Sequence, residues 1–171
     1  KIPYKLYKLQ NFSDFELLSR DCMQEKFGQQ FTEYGNSGQN QHGIDVINST
    51  GTICIQCKNY KTASHLISRL DDDFKRALEH FPDMKLFIIT TALDNNTKLN
   101  DAIISLGKIP DNLQRDVTIE FYTWQRIEEM VLCSSKLHNR YRDLYLGRNY
   151  SSTNTQPDNI LMLPKITVIG F

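Results

Sequence analysis

The chain has 171 residues, of which 40% are hydrophobic and 23% are charged, enough for one globular domain with some sequence to spare. Its 20 basic and 20 acidic side chains cancel, which excludes a globally basic nucleic-acid-binding protein, so a polyanionic partner would need a local patch. No apolar run approaches the ~20 residues that span a bilayer, so we expect no membrane partner.

The first predicted element is a helix over residues 12–27, where apolar side chains recur at helical spacing. The letters SDFE at its start have the form of a capping box, in which Ser13 caps the helix and Glu16 reaches back to it. Residues 30–35 follow as a short strand. The stretch 36–43 is polar and contains glycine, so we expect a mobile loop there.

A hairpin comes next, residues 43–61, with the sequence GIDVINSTGTICIQCKNYK. Because strand side chains alternate, Cys54, Gln56 and Lys58 share one face of its second strand. We predict that Asp45, in the first strand, points to the same side. The hairpin would then carry an acid, an amide and an amine on one wall of the sheet.

The turn leaves two registers open for this hairpin. A two-residue turn places Asp45 opposite Gln56, and a four-residue loop places it opposite Cys54, with Gln56 on the diagonal. Both registers keep Ile44 and Val46 together on the apolar face, and both leave the polar side chains within neighbour distance.

Helices and strands alternate after the hairpin. Apolar residues at spacings of three, four and seven predict a strongly amphipathic helix that begins at residue 63 and is ended by Pro82. Within it, Asp71 to Asp73 are expected to form a solvated face, with Arg69 and Asp73 able to pair. The later elements are a buried strand, a helix, a strand and a last helix, at residues 84–91, 95–107, 117–124 and around Ile127, Met130 and Val131.

This order predicts an α/β protein (α+β mixed sheet), in which a mixed central sheet is flanked by helices. The polar stretch 149–159 is typical of a linker or an ordered surface loop. We therefore divide the chain into a domain over residues 1–148 and a segment, 149–171, of linker and apolar residues that leads to or packs on a further domain. The chain also lacks an initiator Met, so we expect it to be part of a longer protein or a processed form.

The four cysteines, at positions 22, 54, 57 and 133, show no disulfide framework. Cys54 and Cys57 form a CxxC, but residues three apart on a strand point to opposite faces and cannot share a metal ion. We predict buried, reduced thiols in a cytoplasmic protein.

The polar wall of the hairpin has a chemistry of its own. A hard cation such as Mg²⁺ takes oxygen ligands and keeps several waters, so a carboxylate from Asp45 and the amide oxygen of Gln56 are suitable protein ligands. An ammonium group such as that of Lys58 can orient an attacking water or stabilise negative charge on phosphorus. The combination suits phosphodiester hydrolysis.

These residues also carry a resemblance. GIDVI…TICIQCKNYK resembles the active-site hairpin of the PD-(D/E)XK nuclease superfamily, and more narrowly its Mrr-like branch, which has QxK in place of D/ExK. The resemblance covers roughly residues 12–124 and includes the order αβββαβ over residues 12–91. It implies a restriction-endonuclease-like αβββαβ core, an endonuclease that cuts DNA with Mg²⁺ or Mn²⁺, and a place as the N-terminal effector of an antiphage defence or restriction protein.

The resemblance also implies roles for individual residues. Asp45 is the principal metal ligand, Gln56 occupies the position of the second acid, the backbone carbonyl of Cys57 is a further ligand, and Lys58 is the catalytic lysine. Many Mrr-like domains add an acid from the first helix, for which Glu16 is the candidate. A role in the site and a role in the capping box are both open for Glu16.

Contacts with nucleic acid are expected from His42, Tyr60 and Lys61, which lie beside the hairpin motif. The basic stretch 136–148, with tyrosines interleaved, could bind phosphate and stack bases, or be the polar face of a helix that meets a neighbouring domain. The expected partner is double-stranded DNA, with a homo-oligomer for double-strand cleavage. A non-catalytic nucleic-acid-binding or assembly module is the competing hypothesis, because Gln56 stands in the position of the second acid and the net charge is zero. An RNA-cutting nuclease is a further alternative. The NQH of residues 40–42 also departs from the family pattern, in which an acid is frequent there.

Overall fold

The computed structural model describes residues 5–35, 39 and 41–152, and for residues 148–152 it describes the helical backbone alone. These residues form five helices and five strands. The helices are α1 (Phe12–Phe27), α2 (Ala63–His80), α3 (Thr97–Leu106), α4 (Trp124–Cys133) and α5 (Ser135–Ser152). The strands are β1 (Phe31–Glu33), β2 (Val46–Asn48), β3 (Ile53–Lys58), β4 (Leu86–Thr91) and β5 (Thr118–Tyr122).

The strands form one mixed sheet in the order β1-β2-β3-β4-β5. The first three strands pair antiparallel, and β4 and β5 then add parallel to β3. In the hairpin, Val46 lies opposite Ile55 and Ile47 opposite Cys54. This is the register of the two-residue-turn alternative, although four residues, 49–52, separate the two strands. The predicted α/β class with a mixed, helix-flanked sheet is confirmed, and the described elements run αβββαβ from α1 to β4.

Helices cover both faces of the sheet, which makes β4 a strand buried on both sides. On one face, α1, α4 and α5 pack over Val46, Ile55, Cys57 and Ile88; we call this the α1-side core. On the other face, α2 and α3 pack over Cys54, Phe87 and Ile89; we call this the α2-side core. Cys54 and Cys57 therefore lie on opposite faces, as predicted for the CxxC.

Helix α1 begins one residue earlier than its predicted cap. Asn11 is the N-cap: its backbone is extended, and its side chain accepts a hydrogen bond from the Asp14 amide at 3.1 Å. The predicted capping box is therefore wrong, because asparagine caps a helix as well as serine does and stands ahead of Ser13. Glu16 lies one turn into the helix, away from the orphan amides that a cap would satisfy.

Helix α5 packs one side of the basic stretch 136–148 against this domain. The Arg140 side chain donates to Asp21 Oδ2 on α1 at 2.8 Å, and the Tyr141 hydroxyl donates to the Tyr7 carbonyl at 2.7 Å. Lys136 and Arg142 are exposed, so contact of this stretch with nucleic acid or a neighbouring domain stays a prediction. The helix backbone continues to Ser152, into the predicted linker 149–159. The remainder of that linker and of the segment 149–171 lies outside the described residues.

All four cysteines are free, and three are buried, but Cys133 at the end of α4 is exposed, so the prediction of four buried thiols is wrong for that residue.

Of the predicted loop 36–43, residues 36–38 and 40 lie outside the described part of the chain. Among the described helices, none is both long enough and apolar enough to cross a membrane.

Candidate active site

The alternation of the hairpin breaks at Asp45. Ile44 packs into the α2-side core and Val46 into the α1-side core, so the prediction that they share a face is wrong. The reason is backbone geometry. Gly43 has φ of 81°, and the Asp45 amide donates to the carbonyl of Ile55, which already lies opposite Val46. Asp45 therefore precedes β2 in an irregular turn of chain.

This turn directs the Asp45 carboxylate to the end of β3. Its Oδ2 accepts a hydrogen bond from the backbone amide of Cys57 at 2.6 Å. Burial raises the pKa of Asp45 to about 6; the Cys57 hydrogen bond and the Lys58 ammonium act against this rise, and the negative charge of Asp73 adds to it.

Glu16 brings a second carboxylate from α1 into the same electrostatic environment. Burial is the largest cause that raises the pKa of Glu16 to about 7, followed by repulsion from Asp45 and from Glu33, with Arg20 acting in the opposite direction. Repulsion between carboxylates is relieved by a proton or by a cation. The negative charge of Asp45 thus acts on Glu16, although α1 and the turn before β2 are distant in sequence.

Gln56 supplies an unusual buried amide. Only 2% of the residue is exposed, and its Oε1 is buried without a hydrogen-bond partner in the described structure. It alternates with Cys54 and Lys58 on the α2 side of β3, as predicted. An unsatisfied buried carbonyl costs about 1–3 kcal/mol, so its presence points to a partner such as water or a cation.

Lys58 ends β3 with its ammonium held by an acid from α2. Its Nζ donates to Asp73 Oδ2 at 2.6 Å, with 11% and 6% of the two side chains exposed. The second carboxylate oxygen of Asp73 binds the Arg76 guanidinium. The prediction that Asp73 belongs to a solvated face and pairs with Arg69 is therefore wrong.

The sequence does contain a signal for the buried position of Asp73. It lies seven residues after Leu66 and three after Leu70, both buried on α2, so it falls within the apolar stripe of that helix. An acid inside such a stripe requires a buried partner. The run of three aspartates suggested a solvated face, and this is correct for Asp71 and Asp72, which are exposed. Asp73 differs from them because it lies on the buried side of the helix.

Gly43 allows the hairpin to approach α2 closely. A Cβ at this position would lie 2.2 Å from the backbone carbonyl oxygen of Asp73. Only glycine combines this contact with a positive φ. The chain just before Asp45 thus packs directly on the residue that binds Lys58.

The three residues predicted to contact nucleic acid lie at different distances from Lys58. The Tyr60 ring stacks on His65 with centroids 4.2 Å apart and lies 5.4 Å from Lys58 Nζ, so it belongs to the site. Lys61 is exposed nearby. His42 instead stacks on His80, at the far end of α2, with centroids 3.5 Å apart.

The donor atoms at this site suit a hard cation. Asp45, Glu16, Gln56 Oε1 and the Cys57 carbonyl are all oxygen donors of the kind that Mg²⁺ accepts. Burial raises the pKa of the Cys57 thiol well above its usual value, so it offers no thiolate to a softer metal. Within the described ranges, no cluster of three or more His, Cys, Asp or Glu side chains is arranged to bind a metal, so any cation here would depend on the Gln56 amide, the backbone carbonyl and water.

No protein-family model matches this chain, and no curated protein is significantly similar to it.

Proposed function

We propose that this chain is a divalent-cation-dependent endonuclease domain that hydrolyses phosphodiester bonds in double-stranded DNA, with Mg²⁺ as cofactor and Mn²⁺ able to replace it. The observation that carries the proposal is the hydrogen bond from the Cys57 amide to Asp45 Oδ2 at 2.6 Å, which holds a partly buried carboxylate at the end of β3, next to Gln56 and Lys58 in the chain. Burial raises the pKa of this carboxyl group, and a cation would offset the cost of burying its charge. The unpartnered Oε1 of Gln56 would provide a neutral oxygen for that cation.

Each residue then has a distinct role. Asp45, Gln56 Oε1 and the Cys57 carbonyl would hold the cation, with Asp45 as the charged ligand. The bound cation would supply a Lewis acid that activates water and offsets phosphate charge. Lys58 orients the attacking water or stabilises the charge that develops on the phosphate. Glu16 accepts a proton or binds the cation beside Asp45.

The polypeptide context is part of the proposal. We propose that the domain is the N-terminal effector of a longer antiphage defence or restriction protein in the cytoplasm. One site cuts one strand, so double-strand cleavage would require two domains in a homo-oligomer. Lys61 and Tyr60, beside Lys58, are the proposed contacts with the DNA backbone.

A non-catalytic module that binds nucleic acid or mediates assembly is the competing function. The observation that favours it is the engagement of Lys58 by Asp73, because an ammonium in a buried ion pair is less available to a substrate. An RNA substrate is the second alternative for the enzyme.

Cleavage of supercoiled plasmid tests the proposal. The parent chain is incubated with plasmid and Mg²⁺ or Mn²⁺, beside Asp45→Asn, Lys58→Met and the control Asp72→Asn, an exposed acid on α2. We expect cation-dependent cutting by the parent and the control, and a loss of at least about 10²-fold in the two site variants. Nicked product indicates independent domains, and linear product indicates paired ones.

The same preparations are given RNA of matched length to separate the two enzyme hypotheses. Binding of the plasmid without any cutting, with either cation and also after the domain is fused to an oligomerising partner, would favour the non-catalytic module. Cutting that survives Lys58→Met would leave an enzyme but remove Lys58 from its mechanism.

A further inference from the structure

We propose that Asp73 is a positioning residue that fixes the Lys58 ammonium beside Asp45, an inference that rests on the proposed nuclease function. Lysine has a flexible four-carbon stem, so an ammonium at the end of a strand does not hold one position by itself. Here Asp73 Oδ2 binds Lys58 Nζ at 2.6 Å, and both side chains are largely buried. Cys57, the residue before Lys58, donates its backbone amide to Asp45 Oδ2 at 2.6 Å, so the anchored ammonium belongs to the end of β3 that holds Asp45.

The position of Asp73 is itself fixed from two sides. Arg76, one turn further along α2, binds the second carboxylate oxygen and prevents the carboxylate from turning away. The backbone carbonyl of Asp73 packs against Gly43, where the approach leaves no room for a Cβ atom. Asp73 of α2 thus contacts both parts of the site. Its backbone packs against the turn that carries Asp45, and its carboxylate binds the Lys58 ammonium.

Charge distinguishes Asp73 from the proposed cation ligands. Each of its carboxylate oxygens is bound by a cationic side chain, from Lys58 or Arg76. Asp45 Oδ2 instead accepts from the neutral backbone amide of Cys57, which does not cancel the charge of the carboxylate. A cation would therefore gain more from Asp45, and Asp73 acts on the reaction through Lys58.

Steady-state cleavage by Asp73→Asn, Asp73→Glu and the control Asp72→Asn tests this role. Loss of the anchor is expected to lower kcat by about 10²-fold, with the KM for DNA and the cation concentration for half-maximal rate each changed by less than about threefold. Asp73→Glu keeps the charge on a longer stem and should recover part of kcat. The control, an exposed neighbour on the same helix, should equal the parent.

Unfolding by urea gives a second readout that does not require activity. Asp73→Asn, Lys58→Met and the double variant form a cycle, and we expect the double variant to lose less stability than the sum of the two single variants. Additive losses would show that the two side chains are uncoupled and would overturn the inference.

Two kinetic outcomes would also overturn it. A large rise in the cation concentration needed by Asp73→Asn would make Asp73 a ligand, and an unchanged kcat would show that Lys58 needs no anchor. If the parent cuts no nucleic acid at all, the proposed function fails and this role fails with it. The unfolding cycle would then identify the pair of Lys58 and Asp73 as structural only.

Discussion

The Asp45 carboxylate accepts a hydrogen bond from the backbone amide of Cys57 at 2.6 Å, and so ties the irregular turn before β2 to the end of β3. Cys57 directly precedes Lys58. The same bond therefore sets the separation between the acid and the amine of the proposed site. Asp45 has a structural role in addition to the chemical role that we propose for it.

Replacement of Asp45 should separate these two roles. Asp45→Ala leaves the Cys57 amide without its acceptor, and we expect a loss of about 1–3 kcal/mol in the free energy of unfolding. Asp45→Asn keeps an oxygen acceptor but no charge, so it should lose less stability while removing as much cleavage activity. Urea unfolding of both variants measures the difference. Equal stability of the two variants would mean that the hydrogen bond contributes little.

Stability of the cation-free protein should fall as pH rises from about 4.5 to about 7. Glu16 has a pKa of about 7 in the folded protein, against an ordinary value of 4.5, so in this range the folded state binds more protons than the unfolded chain. Its stabilising contribution is complete below the ordinary value and is lost as pH rises through the folded value. Asp45, raised to about 6 from 3.8, acts in the same direction.

The Glu16→Gln variant separates the contribution of Glu16 to the pH dependence of stability from that of the other titrating groups. We expect its unfolding free energy to decline less with pH than that of the parent, measured by urea unfolding at pH 5 and 8 with chelator present. Added Mg²⁺ should stabilise the parent more at pH 8 than at pH 5, because deprotonated carboxylates bind the cation. Parallel pH profiles of parent and variant would contradict the raised pKa of Glu16 in the folded protein.

Glycine at position 43 should be far less replaceable than glycine at position 51. Both have a positive φ, but a Cβ on Gly43 would lie 2.2 Å from the Asp73 carbonyl oxygen, and a Cβ on Gly51 would meet nothing within 4 Å. Gly51→Ala should cost only the backbone strain, about 1–2 kcal/mol. Gly43→Ala should cost more than about 3 kcal/mol or prevent folding. Thermal unfolding compares them, and equal costs would refute the close packing of the hairpin on α2.

One thiol should react in the native protein. Cys133 is exposed, whereas Cys22, Cys54 and Cys57 are buried. Burial also raises the pKa of Cys54 to about 12, which further suppresses its thiolate. A colorimetric thiol reagent should therefore titrate one group per chain before unfolding and four after it. The Cys133→Ser variant should show none in the native state, and a fast-reacting thiol in that variant would contradict the burial of the other three.

Local patterns were sufficient for the element order from α1 to α4, although not for α5, and for the two faces of β3. Apolar spacing predicted α1 over residues 12–27, because a helical stripe depends only on residues three and four apart. Strand alternation separated Cys54 from Cys57 and placed Gln56 and Lys58 on one side, because that alternation follows from backbone geometry. The motif of Asp45, Gln56 and Lys58 could therefore be found without a structure.

Tertiary structure decided what these side chains meet. The electrostatic effect of Asp45 on Glu16 depends on how α1 packs over the sheet, which is a contact between segments distant in sequence. The partner of Lys58 is Asp73, fifteen residues later on α2, where a run of three aspartates suggested solvent. Local spacing specifies which way a residue points from its own element. Only the packing of one element on another determines whether a charge there meets water, a like charge or an opposite one.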